Sequence, residues 1–212
     1  MPTFMQVLTG AGATAGVSTA AYWGISNWQR EETFSIRELL AQNRSRVLIS
    51  SGEESRWEKI WTEYKSKNTN KIKDSWSLEG WDHTKTQTRL PSLEVKCSTE
   101  ISREVKSIED KEYRDFVTYC TREAEFQDRL AWEGYKVIPD SGSEQTWTDN
   151  FNEYKKATNQ LKIHNLTIGT NEEYSQHASK LKDGCKTALS KPISDEEYSQ
   201  SFEAIKRWCA TK

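Results

Sequence analysis

The segment WEKIWTEYK at residues 57–65 recurs in similar form as WTDNFNEYK at residues 147–155. In the first segment Trp57, Trp61 and Tyr64 are spaced i, i+4 and i+7, which is one apolar stripe along an α-helix. Aromatic side chains bury large areas, so a chain with few aliphatic residues can build its core from them. We therefore expect both segments to be helices whose aromatic faces form core. The predicted core aromatic residues are Trp57, Trp61, Tyr64, Trp147, Phe151 and Tyr154.

The similarity extends beyond these two segments. When residues 40–65 are aligned with residues 130–155 without a gap, ten of the 26 positions are identical. Self-similarity at a fixed period indicates a duplicated structural unit. The sequence therefore predicts one unit of about 88 residues that occurs twice, as residues 31–122 and 123–212, after an N-terminal segment of residues 1–30.

Apolar residues follow helical spacing through both units, so we expect an all-α fold: two tandem helical repeat units after an N-terminal hydrophobic helix. The short runs RVLIS (46–50) and KVIPD (136–140) are interpreted as connectors with one or two extended residues at most. The loop at 67–91 is the longest. The predicted helices cover 35–45, 52–66, 91–104, 108–122, 124–135, 142–157, 171–190 and 195–210.

Five short motifs agree with these helix starts. Each has the form Ser/Thr-x-x-Glu, in which the hydroxyl and the carboxylate bind free backbone N–H groups of the first turn reciprocally. We expect a capping box at each of them. The motifs begin at Ser35, Ser51, Ser141, Thr170 and Ser194.

The N-terminal segment carries no charge. Residues 1–29 contain no Asp, Glu, Lys or Arg, whereas 29% of the whole chain is charged. Residues 4–25 match the ~20 residues that a helix needs to cross a bilayer, and Tyr22 and Trp23 suit its interface. We expect a single-pass transmembrane anchor. A cleaved secretory signal, with the remainder secreted, and a soluble tail rich in small residues are the alternatives.

Two cysteines lie at equivalent positions in each unit. The chain has no Cys-x-x-Cys motif, which argues against a zinc ribbon or a thioredoxin-like site. Equivalent placement predicts one disulfide per unit, Cys97–Cys120 and Cys185–Cys209, because small domains with limited cores benefit from such cross-links. Four buried free thiols, or another pairing, are the alternatives.

The sequence shows no recognisable catalytic or metal-binding signature. His83, His164 and His177 do not occupy equivalent positions, and we interpret them as surface residues rather than ligands. Metalloprotease, nucleophile-elbow, phosphate-loop and EF-hand motifs are all missing. We therefore predict a protein that is not an enzyme, with no catalytic residues, no cofactor and no metal ion.

The charge pattern argues against a nucleic-acid partner. The net charge is −2, so the chain provides no global basic field. Lysines at 65–73 lie near Trp76 and Trp81, a combination that can bind single-stranded nucleic acid. The second unit lacks these tryptophans, so we interpret this loop as solvated, with Trp76 and Trp81 folded back on the core.

Several short features together resemble one group of proteins. They are the uncharged segment 4–25, EYKK at 153–156, LKDGCKTALS at 181–190 and KRWC at 206–209. The chain resembles the paralogous families of short hypothetical proteins of haemotrophic mycoplasmas. The resemblance implies a membrane-associated protein that is exposed to a host, and it supplies no catalytic residues.

These observations predict a membrane-anchored helical repeat protein whose bulk lies outside the cell and which acts in host or partner interaction rather than catalysis. The membrane contact is assigned to residues 4–25. A membrane-tethered adaptor that faces the cytoplasm and keeps free thiols is the alternative. The residues themselves name no protein partner and no oligomeric state.

Overall fold

The two aromatic stripes lie on helices that face two separate cores. The computed structural model describes residues 32–84 and 89–212 of the chain. Helix α2 (Glu54–Asn68) and helix α6 (Glu144–Tyr154) each bury all three of their predicted aromatic residues. These six side chains are 0–3% exposed. One core belongs to residues 36–120 and the other to residues 126–210.

The remaining helices agree with the periodicity of the sequence to within a few residues. In the first half of the described chain, residues 32–122, they are α1 (Ile36–Gln42), α2, α3 (Pro91–Glu100) and α4 (Lys111–Cys120). In the second half, residues 123–212, they are α5 (Phe126–Trp132), α6, α7 (Tyr174–Leu189), α8 (Glu196–Gln200) and α9 (Phe202–Cys209). The last predicted helix is thus divided at Ser201.

The prediction of an all-α fold of tandem helical units is wrong. Three two-stranded antiparallel sheets occur among the described residues, so the fold is mixed α/β. β1 (Phe34–Ser35) pairs with β3 (Glu104–Val105), β2 (Arg46–Leu48) with β4 (Thr121–Glu123), and β5 (Lys136–Val137) with β6 (Ala210–Thr211).

Strands β2 and β5 lie in the runs 46–50 and 136–140, for which the sequence indicates one or two extended residues. Strands β4 and β6 were not predicted, because they are very short and directly follow helices. Helix α4 ends at Cys120, and the next residue, Thr121, is already extended with φ −128° and ψ 158°. Helix α9 ends at Cys209 in the same way, and Ala210 has φ −139° and ψ 163°. A strand of two or three residues cannot show the alternation that marks a longer one. Pairing with a distant segment therefore decides these conformations.

Individual contacts recur in the two halves, in a register that differs from the gapless alignment. The Ile49 N–H donates to the Cys120 carbonyl, and the Ile138 N–H donates to the Cys209 carbonyl, each at 3.0 Å. Ile138 therefore occupies in the second half the position that Ile49 occupies in the first. These two residues are one residue closer in sequence than Trp57 and Trp147, which are 90 residues apart. The alignment of Val47 with Val137 is therefore one residue out of register at the strands.

A cysteine pair at disulfide distance lies in each core, as predicted. Cys97 of α3 faces Cys120 at the end of α4, with their Cα atoms 5.5 Å apart. Cys185 of α7 faces Cys209 at the end of α9, with their Cα atoms 5.4 Å apart. Both separations suit a disulfide, and none of the four is a free thiol. Each cross-link joins two helices that pack on the same aromatic core.

Of the five predicted capping boxes, only the one at Ser35 forms. Its hydroxyl accepts from the Glu38 N–H at 3.3 Å, and the Glu38 carboxylate accepts from the Ser35 N–H at 2.8 Å. The other four helices begin one to three residues beyond the expected position. An unpredicted box, built from Glu125 and Asp128, starts α5. The motif supplies the hydroxyl and the carboxylate of a capping box. Whether they reach the backbone N–H groups depends on the direction from which the chain enters the helix.

The expected membrane anchor, residues 1–30 with its apolar part at 4–25, lies outside the described residues. Within residues 32–84 and 89–212, no helix combines the length and the apolar character needed to cross a bilayer.

Candidate partner-binding groove

A groove of about 760 Å³ runs between helices α2 and α4 and reaches the junction of the two halves. Helix α2 supplies one wall, because Arg56, Lys59, Ile60, Glu63 and Lys67 recur at helical spacing beside its aromatic stripe. The opposite wall comes from the end of α4 and from strand β4. Five basic residues line the groove: Arg46, Arg56, Lys59, Lys67 and Arg122.

Arg46 on strand β2 is fixed in this groove by neutral acceptors. Its Nε donates to the Thr121 hydroxyl at 3.0 Å, and its Nη2 donates to the carbonyls of Val117 at 3.3 Å and Thr121 at 3.2 Å. A cation at these carbonyls suits the negative end of the α4 dipole. Within the described part of the chain, Arg46 has no acidic partner and its Nη1 has no hydrogen bond. The guanidinium is thus held in place without being neutralised.

A network of five charged side chains joins the two halves at one end of the groove. Arg122 of β4 binds Asp128 of α5 with two nitrogens, at 2.6 and 3.0 Å, and binds Glu53 at 2.7 Å. Arg56 of α2 binds Glu53 at 2.9 Å and also pairs with Glu125, which precedes α5. Arg122, Asp128 and Glu125 are 8–15% exposed as side chains. Such shielded, bidentate pairs hold a defined geometry.

The environment favours the charged forms of Glu53 and Arg122, two members of this network. Burial alone would raise the pKa of Glu53, but the hydrogen bond from the Ser50 N–H and the contact with Arg122 outweigh it and lower that pKa. The hydrogen bond with Asp128 raises the pKa of Arg122 further above its usual range. Since both groups favour their charged forms, the α2–β4–α5 contact is an ionic one over the whole neutral range.

The aromatic residues and cysteines singled out in the sequence lie in the two cores and do not line this groove. Trp57 and Trp147 donate their indole N–H groups to the carbonyls of Ser50 and Pro139, each at 2.8 Å. The other nominated aromatic residues and the four cysteines fill the interior in the same way. These residues form the packed cores on which the groove is built, and their role is structural.

The tryptophans of the longest loop pack on the first core. The ring of Trp76 lies 5.2 Å from that of Tyr119, and the ring of Trp81 lies 6.2 Å from that of Trp61. The Trp81 indole N–H also donates to the Lys71 carbonyl at 3.0 Å. Both tryptophans therefore fold back on the core, as expected from the sequence. Their rings stabilise the core and present no open row of stacking faces of the kind that single-stranded nucleic acid uses.

The histidines do not form a metal site. His164 lies 3.1 Å from the carboxylate of Glu197, while His83 is exposed in the loop and His177 lies at the start of α7. In the described ranges, no three His, Cys, Asp or Glu side chains are grouped so as to hold a metal ion.

The sequence did contain a signal for the groove. Basic residues Arg56, Lys59 and Lys67 lie on one face of α2, beside the aromatic stripe, and could be read from the helical spacing. The contribution of Arg46 and Arg122 could not, because strand pairing brings them to this face. The arrangement can hold a ligand between fixed charges and apolar walls. No protein-family model, curated protein or solved structure matches this chain.

Proposed function

We propose that this protein is a disulfide-stabilised interaction protein that works on the outer side of a membrane and binds a partner through the α2–α4 groove. It does not catalyse a reaction. The observation that carries this proposal is the cysteine pair at disulfide distance in each of the two cores. Disulfides persist in oxidising compartments and are rare in the cytosol, where thiols are kept reduced.

The size of the two cores supports the same conclusion. Each half has roughly 90 residues, a size at which the buried fraction of the chain is small and stability is marginal. Cross-links are a common remedy in secreted domains with limited cores. The need for both disulfides suits a protein that works in an environment where they stay oxidised.

The sequence supports the location. Residues 4–25 carry no charge and match a bilayer-spanning helix in length. An anchor there leaves residues 32–212 on one side of the membrane. The resemblance to membrane-associated mycoplasma proteins supports the outer side.

The groove supports binding rather than catalysis. Its volume of about 760 Å³ falls within the range of ligand sites in proteins. Of the three acidic residues that line it, Glu63 and Glu125 are engaged in ion pairs, so these two are not free to exchange protons with a substrate. Its charged side chains are therefore suited to recognition.

Cysteine labelling on intact cells that express the full chain tests this proposal. A membrane-impermeant maleimide is applied first, and a second maleimide is applied after lysis and denaturation, with and without reduction. We expect no labelled cysteine without reduction and four after it, and we expect external trypsin to remove residues 32–212. Four thiols that label without reduction, in a chain protected from trypsin, would instead show the cytoplasm-facing adaptor with free thiols.

A further inference from the structure

We infer that the α2–α4 groove takes an extended acidic peptide segment of a partner protein, with one carboxylate bound between Arg46 and Lys59. This inference rests on the proposed function, because it names the class of ligand for the same groove.

Arg46 provides a guanidinium of fixed orientation in the site. Three hydrogen bonds to Thr121 and Val117 fix the plane of its guanidinium, so little conformational entropy is lost when a ligand binds. No carboxylate of the described chain lies within ion-pairing distance, and the two N–H groups of Nη1 are left without an acceptor. A carboxylate is the acceptor that matches such a group in geometry and charge.

Lys59 provides a second, mobile cation on the opposite wall. It is exposed on α2 and has no ion pair or hydrogen bond within residues 32–84 and 89–212. The other lysine of this wall, Lys67, is already paired with Glu63 at 2.6 Å. The basic residues of the groove that have no ion pair within the described chain are therefore Arg46 and Lys59, and the unpaired Glu123 is the strand neighbour of Arg46.

Apolar side chains line the same groove as the two cations. Ile60 of α2, Val117 of α4 and Ile49 after β2 line the same groove. Ile49 is buried, whereas Ile60 and Val117 are partly buried and leave apolar surface within the groove. A ligand that buries its own apolar side chains there gains about 25 cal/mol for each Å² removed from water. The lining thus suits a carboxylate flanked by apolar groups.

The acidic residues of the groove argue against a polyanion. Glu63, Glu123 and Glu125 also line it, and Glu123 has no ion pair in the described part of the chain. A sulfated saccharide or a nucleic acid, with a charge on every repeat, would meet these carboxylates and the overall charge of −2. A peptide with a single acidic side chain avoids repulsion by these carboxylates. Its backbone N–H groups or a basic residue can bind Glu123.

A peptide selection on the purified, oxidised full chain tests the inference. A displayed library of random linear 12-residue peptides is panned, and the enriched peptides are synthesised for calorimetric titration. The variants are Lys59→Glu, which changes an exposed residue, and Arg46→Lys, which keeps the charge but removes the planar fork. Lys186→Glu is the matched control, because Lys186 is an exposed lysine of α7 outside this groove.

We expect enriched peptides to share one Asp or Glu flanked by apolar residues. Changing that residue to its amide, or Lys59 to Glu, should weaken binding at least about tenfold, the scale of one charge-assisted contact. Lys186→Glu should leave the affinity unchanged within about twofold. The amide peptide and Lys59→Glu decide the outcome even if Arg46→Lys folds poorly.

Three results would overturn the inference. They are enriched peptides without a shared acid, peptides that bind Lys59→Glu as well as wild type, and a library from which nothing is enriched while a heparin octasaccharide binds. Peptides that bind equally to Lys59→Glu leave the interaction function standing and remove only this ligand class. Free thiols on intact cells would remove the proposed function itself.

Discussion

At the scale of the residue, one buried tyrosine in each half ties the loop after an aromatic helix to its core. The Tyr64 hydroxyl donates to the Asp74 carboxylate and accepts from the Trp76 N–H at 3.1 Å. The Tyr154 hydroxyl donates to the Leu166 carbonyl at 3.0 Å. Burial, together with Asp74, raises the pKa of Tyr64 above its usual range, so the hydroxyl keeps its proton. The two tyrosines therefore differ mainly in the charge of the group that they bind.

We predict that Tyr64→Phe destabilises the protein more than Tyr154→Phe. The first change removes the hydroxyl donor of the buried Asp74 carboxylate and leaves it the Leu78 N–H. The loss of a hydrogen bond to a charged acceptor costs about 2 kcal/mol, whereas the loss of a bond to a neutral carbonyl costs about 1 kcal/mol. Urea denaturation monitored by fluorescence measures both. Equal losses, or a larger loss for Tyr154→Phe, would contradict this assignment.

At the scale of the element, the two cross-links occupy matching places. Each joins a helix of the core to the last residue of a helix that continues into a strand, at Cys120 and at Cys209. The closed loops span sequence separations of 23 and 24 residues. Because the loss of chain entropy depends on loop length, the two disulfides should stabilise the fold almost equally.

We predict that replacing both cysteines of one pair by alanine lowers the free energy of unfolding by about 3 kcal/mol. The Cys97/Cys120 and Cys185/Cys209 double variants should agree within about 1 kcal/mol, since the loops match in length. Calorimetry of the oxidised variants measures this, and the fully reduced wild type is the reference for the loss of both. A loss confined to one pair would show that the other carries no cross-link in solution.

At the scale of the whole molecule, the ionic network of Arg122, Glu53, Arg56, Glu125 and Asp128 joins the two halves. Its groups come from α2, β4 and the start of α5. A shielded pair of this kind fixes one arrangement more than it adds net stability, because desolvation offsets much of the attraction. The contact should weaken when Glu53 is protonated, because protonation removes the charge that Arg122 and Arg56 bind.

We predict that acid weakens the fold through Glu53. Its pKa is lower in the folded protein than the usual value of about 4.5, so the unfolded chain binds protons first as the pH falls. The stability that Glu53 contributes is thus present above about pH 4.5 and is lost as the pH falls through the folded-state value.

Urea titrations of wild type and Glu53→Gln between pH 3 and 7 measure this effect. The difference in stability should be largest near neutral pH and should shrink toward pH 3. Glu123→Gln removes an exposed acidic residue that has no ion pair in the described part of the chain, and it controls for the change in net charge. A difference that stays constant across the range would rule out this role for Glu53.

Periodicity predicted the helices, and the placement of the cysteines at equivalent positions favoured one disulfide in each unit without excluding the alternatives. Helical periodicity is a local property of the sequence. An aromatic stripe is buried on one face of a helix, and Trp57, Trp61 and Tyr64 mark that face. The same helical spacing places Arg56, Lys59 and Lys67 on one face of α2, but a groove also needs a second wall, which the helix alone does not supply.

The tertiary structure alone decided the sheets, the helix starts and the groove. Strands of two or three residues exist because a distant segment pairs with them, as β2 does with β4. Capping at Ser35, and its absence at Ser51, depends on the direction from which the chain enters. Arg46 and Arg122 meet the lysine face of α2 only through that strand pairing. Whether a charged residue belongs to a site depends on neighbours that are remote in sequence. A local sequence pattern does not contain this information.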